Sequence, residues 1–369
     1  MQDVVVVGGG VMGCLSALEL LQAGCRVTLL ERGELGQEAS WAGGGIVSPL
    51  YPWRYSQPIS ALAQWSQGYY GSLAAQLLAD TGIDPELHPC GLLWLDLDEQ
   101  GQALQWAAQQ DRPLQQVDRG FVYQQVPQLA TGFAGALWQA DLANVRNPRL
   151  MKALRARLLQ FSGFSLHEHC AAEGLQHDGE RVVGVRTAAG AVMGDAVLLC
   201  AGAWGGDWLA AEALALPVEP VKGQMLLYRM APGWLPSIVM AQGRYAIPRR
   251  DGHILIGSTL EHAGFDKATT EQALASLRAS AEALLPDLAD QAPVGQWAGL
   301  RPGSPDGVPY IGPLSARPGL WLNVGHYRNG LVLAPASCRL LADLMLGRAP
   351  AIDPAPYLPD ERLSQGSTD

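Results

Sequence analysis

Basic residues are scarce in this 369-residue chain: 25 Lys and Arg stand against 35 Asp and Glu, for a formal net charge of −10. A surface of that sign repels polyanions and argues against DNA or tRNA as a partner. Charged residues of all kinds reach only 16% while hydrophobic ones reach 48%, which excludes a disordered chain and describes a well-buried globular enzyme. Cysteine pairs are missing as well. Cys14, Cys25, Cys90, Cys170, Cys200 and Cys338 are scattered with no C-x-x-C, so neither a disulfide framework nor a zinc site is supported. His167, His169 and His177 are spread along a hairpin without metal-ligand spacing and read as surface residues, so no metal is expected. The longest apolar stretches, such as 194–203, are too short to span a bilayer, and no signal-peptide pattern precedes the first strand. The expectation is a cytoplasmic protein without a membrane partner. There is no internal repeat, and the length exceeds one ordinary core, which predicts two domains.

What is present begins at once. The valine run from Asp3 to Val7 feeds into Gly8-Gly9-Gly10-Val11-Met12-Gly13; a small-residue helix follows, then a second strand from Cys25 to Leu30 that ends on Glu31. This is a βαβ unit with G-x-G-x-x-G spacing and an acid about 20 residues on, the pattern a dinucleotide requires. Gly8 permits the tight turn, Gly10 lets backbone reach a pyrophosphate, and Gly13 lets helix and strand pack closely. The helix N-terminus aims unpaired N–H groups at the phosphates, and Glu31 is placed to accept from a ribose diol. Residues 36–50 then form a loop of small residues with three consecutive glycines, Gly43, Gly44 and Gly45, where backbone can approach a flat ligand.

Further along, apolar spacing predicts a helix over 59–82, a short β stretch over 91–97 and a helix from about Glu99 to Gln110. Residues 121–144 are Gly- and Gln-rich and read as irregular. Asn147-Pro148 opens a basic helix, Arg149 to Gln160, whose charges read as a solvated face. A hairpin hinges on Asp178-Gly179. The apolar run from Asp195 to Gly202 reads as a buried parallel strand returning to the first sheet. Strands near 224–229, 245–248 and 253–258 suit a second, largely antiparallel sheet. A helix over Glu271–Leu285, a strand over Trp321–Gly325 and a helix over Leu331–Leu346 complete the chain. The expected fold is α/β (α+β overall): a Rossmann-like nucleotide-binding domain built from discontinuous segments, 1–85, 145–217 and 300–369, with an inserted antiparallel β-sheet substrate domain, 86–144 and 218–299.

Five segments carry a family resemblance: Gly8–Gly13 with Glu31-Arg32; Ala39-Ser40-Trp41-Ala42-Gly43-Gly44; Val197 to Trp204; Gly299-Leu300-Arg301-Pro302-Gly303 through Gly312; and Gly325-His326-Tyr327-Arg328-Asn329-Gly330-Leu331. The chain resembles the FAD-dependent amine oxidases of the D-amino-acid oxidase type, most closely their glycine oxidase branch. The first three segments recur in many flavoproteins; the last two, at this mutual spacing, are specific to the branch. The resemblance implies FAD, and the sequence agrees in having no second G-x-G-x-x-G for a nicotinamide cofactor. Some sarcosine oxidases hold flavin through a cysteine near the Arg301 loop; the stretch 300–312 has none, so non-covalent FAD is expected.

The implied FAD contacts are Gly8, Gly10, Val11, Met12, Gly13, Glu31, Arg32, Ala39, Ser40, Gly43, Gly44, Gly45, Ile46 and Val47. At the adenine end stands the Ala172 backbone, beside the flavin Ala201 and Gly202, and around the last helix His326, Tyr327, Arg328, Asn329, Gly330, Leu331 and Val332. No catalytic side chain is expected, because the flavin takes the hydride and the protein supplies orientation and electrostatics. Arg301 is the expected clamp for a substrate carboxylate, its planar fork suiting that group; a surface ion pair with Asp306 is the alternative. Tyr245 would donate a second hydrogen bond or simply pack. Arg328 would stand beside substrate and flavin or tie down the last helix. His326 reads as structural or at the flavin edge, and Leu260 as narrowing the pocket or packing. The implied reaction takes glycine and oxygen to glyoxylate, ammonia and hydrogen peroxide, with sarcosine, N-ethylglycine and D-alanine as further candidate substrates and thiamine thiazole synthesis as a use for the imine. A D-amino-acid dehydrogenase, a sarcosine oxidase and the FAD domain of a tRNA-modifying enzyme are the competing readings. A homo-oligomer, a tetramer by resemblance, is expected.

Overall fold

The computed structural model describes residues 2–96 and 98–365. Two large sheets dominate the fold. The first has six strands in the order Tyr310–Pro313, Leu320–Val324, Ala196–Leu199, Asp3–Val7, Arg26–Leu30 and Phe164–His167, all parallel except the first. Side chains alternate across a strand, so the valine run serves two cores. Val4 and Val6 join the cluster under the helices Val11–Gln22, Gln57–Thr81, Asn147–Leu158 and Gly330–Met345. Val5 and Val7 join the opposite cluster, which includes Leu175, Val182 and Val185 of a three-stranded antiparallel sheet. Continuous apolar sequence is what a parallel strand covered on both faces demands. The predicted return of 195–202 holds: Val5 pairs with Val197. The predicted hairpin turn also holds, with Gly179 at φ 59° between paired Asp178 and Arg181.

The second sheet has eight strands in the order Gly295–Gly303, Glu219–Arg229, His253–Gly257, Arg244–Pro248, Ile238–Ala241, Leu92–Trp94, Gly135–Gln139 and Gln115–Asp118. Every pairing is antiparallel except that of Ile238–Ala241 with Leu92–Trp94. The helix Glu271–Leu284 covers one face through Leu277, Ala281 and Leu284. Its start is fixed by Thr270, whose hydroxyl accepts from the Ala273 amide at 3.2 Å.

Two sequence expectations need correction. The segment 121–144 is not irregular: it holds most of the helix Arg119–Gln125 and the whole strand Gly135–Gln139, whose Ala136 and Leu137 are fully buried. The basic helix is not a bare solvated face, since Arg149 pairs with Glu86, Arg155 with Glu168 and Arg157 with Asp80, all within 3.2 Å. Of the β stretch expected over 91–97, Leu92–Trp94 is strand, and Leu97 lies outside the described residues.

This topology decides where a ligand can sit. Val7, Leu199 and Val324 end parallel strands of the first sheet, and each runs into a glycine or small residue: Gly8, Cys200-Ala201 and Gly325. Crevices at the carboxyl ends of such strands are the binding sites of open α/β sheets. Strands of the second sheet contribute Gly223, Met225, Tyr245 and Arg301 to the crevice wall.

Candidate active site

The crevice encloses about 1220 Å³ of space, part of it open to solvent, and its wall draws on both sheets. Its floor is the glycine turn. Gly8 has φ 107°, and a Cβ there would lie 2.4 Å from the Cys200 carbonyl oxygen; a Cβ on Gly13 would lie 1.9 Å from the Gly8 oxygen. These two glycines shape the turn and do not themselves line the crevice, whereas Gly10, Val11 and Met12 do. The Val11 amide donates to the Ser40 hydroxyl at 2.8 Å, while the Met12 and Gly13 amides have no acceptor among the described residues. The helix start thus keeps free N–H groups for an anion. Glu31 is buried and accepts from the Gly9 and Gly33 amides at 2.7 and 2.9 Å. A carboxylate offers about four acceptor positions, so capacity for a diol remains.

The rest of the expected cofactor set divides. Ala39, Ser40, Gly43, Gly44, Gly45, Ile46, Gly202 and the run from His326 to Val332 all stand on the wall. Val47 does not: its side chain is in the core, its amide donates to Ala143 and its carbonyl accepts from Gln67, so both backbone groups are already used. Arg32 and Ala201 are off the wall too. The Arg32 guanidinium lies 3.5 Å over the Trp204 ring and pairs with Glu38 at 3.0 Å. The Ala172 carbonyl accepts from the Trp208 indole at 2.9 Å, and its amide has no acceptor among the described residues.

Nine buried side-chain polar atoms have no hydrogen-bond partner among the described residues, and four of them belong to the crevice wall: Asn147 Oδ1, Asn323 Oδ1, His326 Nε2 and Asn329 Nδ2. Burying such atoms unpaired is costly. The convergence of these four on one crevice, with the free helix amides, fits a long polar ligand of the dinucleotide kind. Burial pushes the His326 imidazole down to about 3, so the ring is neutral. Asn147 and Asn323 were missed from sequence; Asn147-Pro148 signals only a helix start. Arg249 was missed too. Fully buried, with its pKa lowered to about 10 by desolvation, it donates to Gly44 O, Val145 O and Asn144 Oδ1 at 2.9, 2.9 and 2.5 Å, pinning the glycine loop.

At the other end of the crevice the second sheet presents Arg301 and Tyr245. Arg301 lies on Gly295–Gly303, opposite Val221. Its Nη1 donates to Lys222 O at 3.2 Å, and Nη2 to Ser258 Oγ and Thr259 O at 2.7 and 3.3 Å. No acid pairs with it among the described residues. Asp306, its possible surface partner, is taken by Arg362 at 2.6 Å, which removes the ion-pair alternative. Desolvation lowers the Arg301 pKa, with the Tyr245 phenol opposing the shift and Arg328 adding to it. The Tyr245 hydroxyl also lies 3.4 Å from Met225 Sδ. Three glycines make this corner possible. A Cβ on Gly223 would stand 2.3 Å from both terminal nitrogens of Arg301, and one on Gly257 or Gly44 would stand 2.5 or 3.3 Å from Tyr245 Cε2. Sequence reasoning missed Gly223 and Gly257 and gave Gly44 only a cofactor role. Arg328 is exposed on the wall with no hydrogen bond or ion pair among the described residues, so it does not tie down the last helix. Leu260 is 47% exposed and off the wall, neither narrowing the pocket nor packing in a core.

A two-sheet fold with a dinucleotide crevice under a cationic pocket defines a class, and the family model described as FAD dependent oxidoreductase matches residues 3–344. The chain belongs to that family, and its cofactor is FAD. It is similar to glycine oxidase of Pseudomonas aeruginosa, with 64% identity over 98% of this chain and 100% of that protein. It is similar also to the bifunctional protein ThiO/ThiG of Trichormus variabilis, at 33% identity over 94% of this chain and 53% of that protein. Among solved structures, glycine oxidase from Geobacillus kaustophilus superposes with a TM-score of 0.90 at 32% identity, covering 97% of this chain and 98% of that one.

Proposed function

We propose that this chain oxidises glycine to the imine, which water converts to glyoxylate and ammonia, while oxygen is reduced to hydrogen peroxide. The observation that carries the reading is Arg301: a partly buried arginine with no acidic partner among the described residues, on the wall of the cofactor crevice. A desolvated cation without a counter-ion is a standing site for an anion, and the substrate carboxylate is that anion. Bound FAD supplies the two-electron acceptor for the α-carbon hydride and the route of those electrons to oxygen. The residues present do the rest. Arg301 fixes the carboxylate, Tyr245 offers a phenol beside it, and exposed Arg328 adds positive charge at the rim. His326 stays neutral across the working pH range and is not a proton store.

Several finer assignments belong to the same reading. FAD is held non-covalently, through Gly10, Met12, Glu31, Ser40, Gly43 to Gly45, the Ala172 amide and the residues from His326 to Val332. Supporting this, 300–312 contains no cysteine, and the one thiol on the crevice wall, Cys200, is pushed well above its ordinary pKa by burial and is a poor nucleophile. Segments 1–85, 145–217 and 300–369 form the cofactor domain, except that residues 300–303 belong to the strand Gly295–Gly303 of the second sheet. All six cysteines are free, in keeping with a cytoplasmic site, and among the described residues no helix is long and apolar enough to cross a membrane. The likeness to ThiO/ThiG supports delivery of the imine to thiamine thiazole synthesis. A homotetramer is proposed, to be read by light scattering.

The test is a screen of glycine, sarcosine, N-ethylglycine and D-alanine under air, read as peroxide release. Glycine-dependent peroxide is expected. Oxidation only with an added quinone-type acceptor would replace the oxidase with a dehydrogenase.

A further inference from the structure

Arg301 rests on a serine whose own proton has no acceptor among the described residues. Arg301 Nη2 donates to Ser258 Oγ at 2.7 Å, so the hydroxyl oxygen is an acceptor in this contact. A hydroxyl carries one proton in addition to its acceptor lone pairs. No hydrogen bond donated by Ser258 Oγ exists among the described residues, yet the residue stands on the crevice wall beside Arg301 and Tyr245. Its backbone is fixed, because the Ser258 carbonyl accepts from the Arg244 guanidinium. Neighbouring Thr259 is already committed: its hydroxyl accepts from the Gln224 amide at 2.8 Å and donates to Glu261. Among the described residues Ser258 thus keeps a free hydroxyl donor at this corner, and any anion drawn to Arg301 arrives within its neighbourhood.

We propose that Ser258 is a substrate-binding residue that donates its hydroxyl proton to the carboxylate held by Arg301. The proposal rests on the reading that Arg301 clamps that carboxylate. The serine would do two things at once: accept from the guanidinium, which fixes the fork, and donate to the ligand. A hydroxyl polarised in this way by a cation is a better donor than an isolated one.

Acetate, a carboxylate without an amine, is the probe, and its binding to the holoenzyme is read from the visible absorption of the flavin. Ser258→Ala should raise the acetate Kd about tenfold, the loss expected for one hydrogen bond to a charged group. It should raise KM for glycine by a similar factor and change kcat little. Ser258→Thr, which keeps the hydroxyl, should restore both. Repeating the alanine substitution in an Arg301→Lys background separates donation to the ligand from support of the arginine. Direct donation predicts that the penalty recurs there; a penalty that vanishes overturns the proposal. An acetate Kd unchanged in Ser258→Ala, with binding lost in Arg301→Ala, also overturns it and leaves the clamp standing. If Arg301→Ala binds acetate like the wild type, clamp and serine fall together.

Discussion

His326 shows how much one side chain says about a site. It is among the most buried polar residues, it sits between a parallel strand and the last helix, and its Nε2 has no partner among the described residues. Burial lowers its pKa from the ordinary 6.5 to about 3. A folded-state value below the unfolded one means that the unfolded chain binds the proton first as pH falls. Above pH 6.5 the group therefore contributes no pH dependence, and between 6.5 and 3 it removes about 1.4 kcal/mol of stability per pH unit. Urea unfolding of the apoprotein should show this. The stability lost between pH 7 and pH 5 should be about 2 kcal/mol smaller in His326→Asn than in the wild type. An identical loss in both would contradict a neutral buried imidazole.

At the scale of elements, the substrate corner is made by two paired strands. Glu219–Arg229 and Gly295–Gly303 run antiparallel with Val221 opposite Arg301, and the Arg301 guanidinium lies over Gly223. A methyl group there would stand 2.3 Å from both terminal nitrogens, so Gly223→Ala must displace the fork. Small misplacements of a positioning group cost about 10²-fold. The variant should keep its FAD, which other elements hold, and lose kcat/KM for glycine on that order; near wild-type efficiency would mean that Arg301 has room the geometry denies it. The same pair of strands shows what sequence can and cannot tell. The opening βαβ unit was legible because its signals are local: a valine run, glycines at fixed spacing, and an acid at the end of the next strand. Arg301 and Tyr245 were named through a family resemblance. Gly223 was not, because its need arises only when a strand about 80 residues away is laid beside it. The strand Gly135–Gln139 was hidden for a similar reason. Its partners are Leu92–Trp94 and the polar edge strand Gln115–Asp118, and no periodicity inside a five-residue stretch announces them. Asn147 and Asn323 escaped because a buried asparagine is meaningful only once its missing partner is seen.

The whole molecule places a cofactor crevice at the carboxyl ends of one sheet and a cationic pocket on the other, and the two join in a single wall. The sheets are fastened across that join. Arg249 reaches from the second sheet to the Gly44 carbonyl, and the Arg146–Asp251 pair at 2.9 Å closes the same side. The central claim is that Arg301 holds a carboxylate where the flavin can oxidise its neighbour. The most direct test is anaerobic mixing of the holoenzyme with glycine, following loss of the oxidised flavin's visible absorption, in the wild type and in Arg301→Ala. A buried charge left without its partner costs roughly 3–5 kcal/mol. The wild type should bleach, and Arg301→Ala, with its FAD retained, should do so with kreduction/Kd lower by on the order of 10²–10³-fold. Wild-type flavin that glycine does not reduce, or equal reduction in the two proteins, would contradict the account.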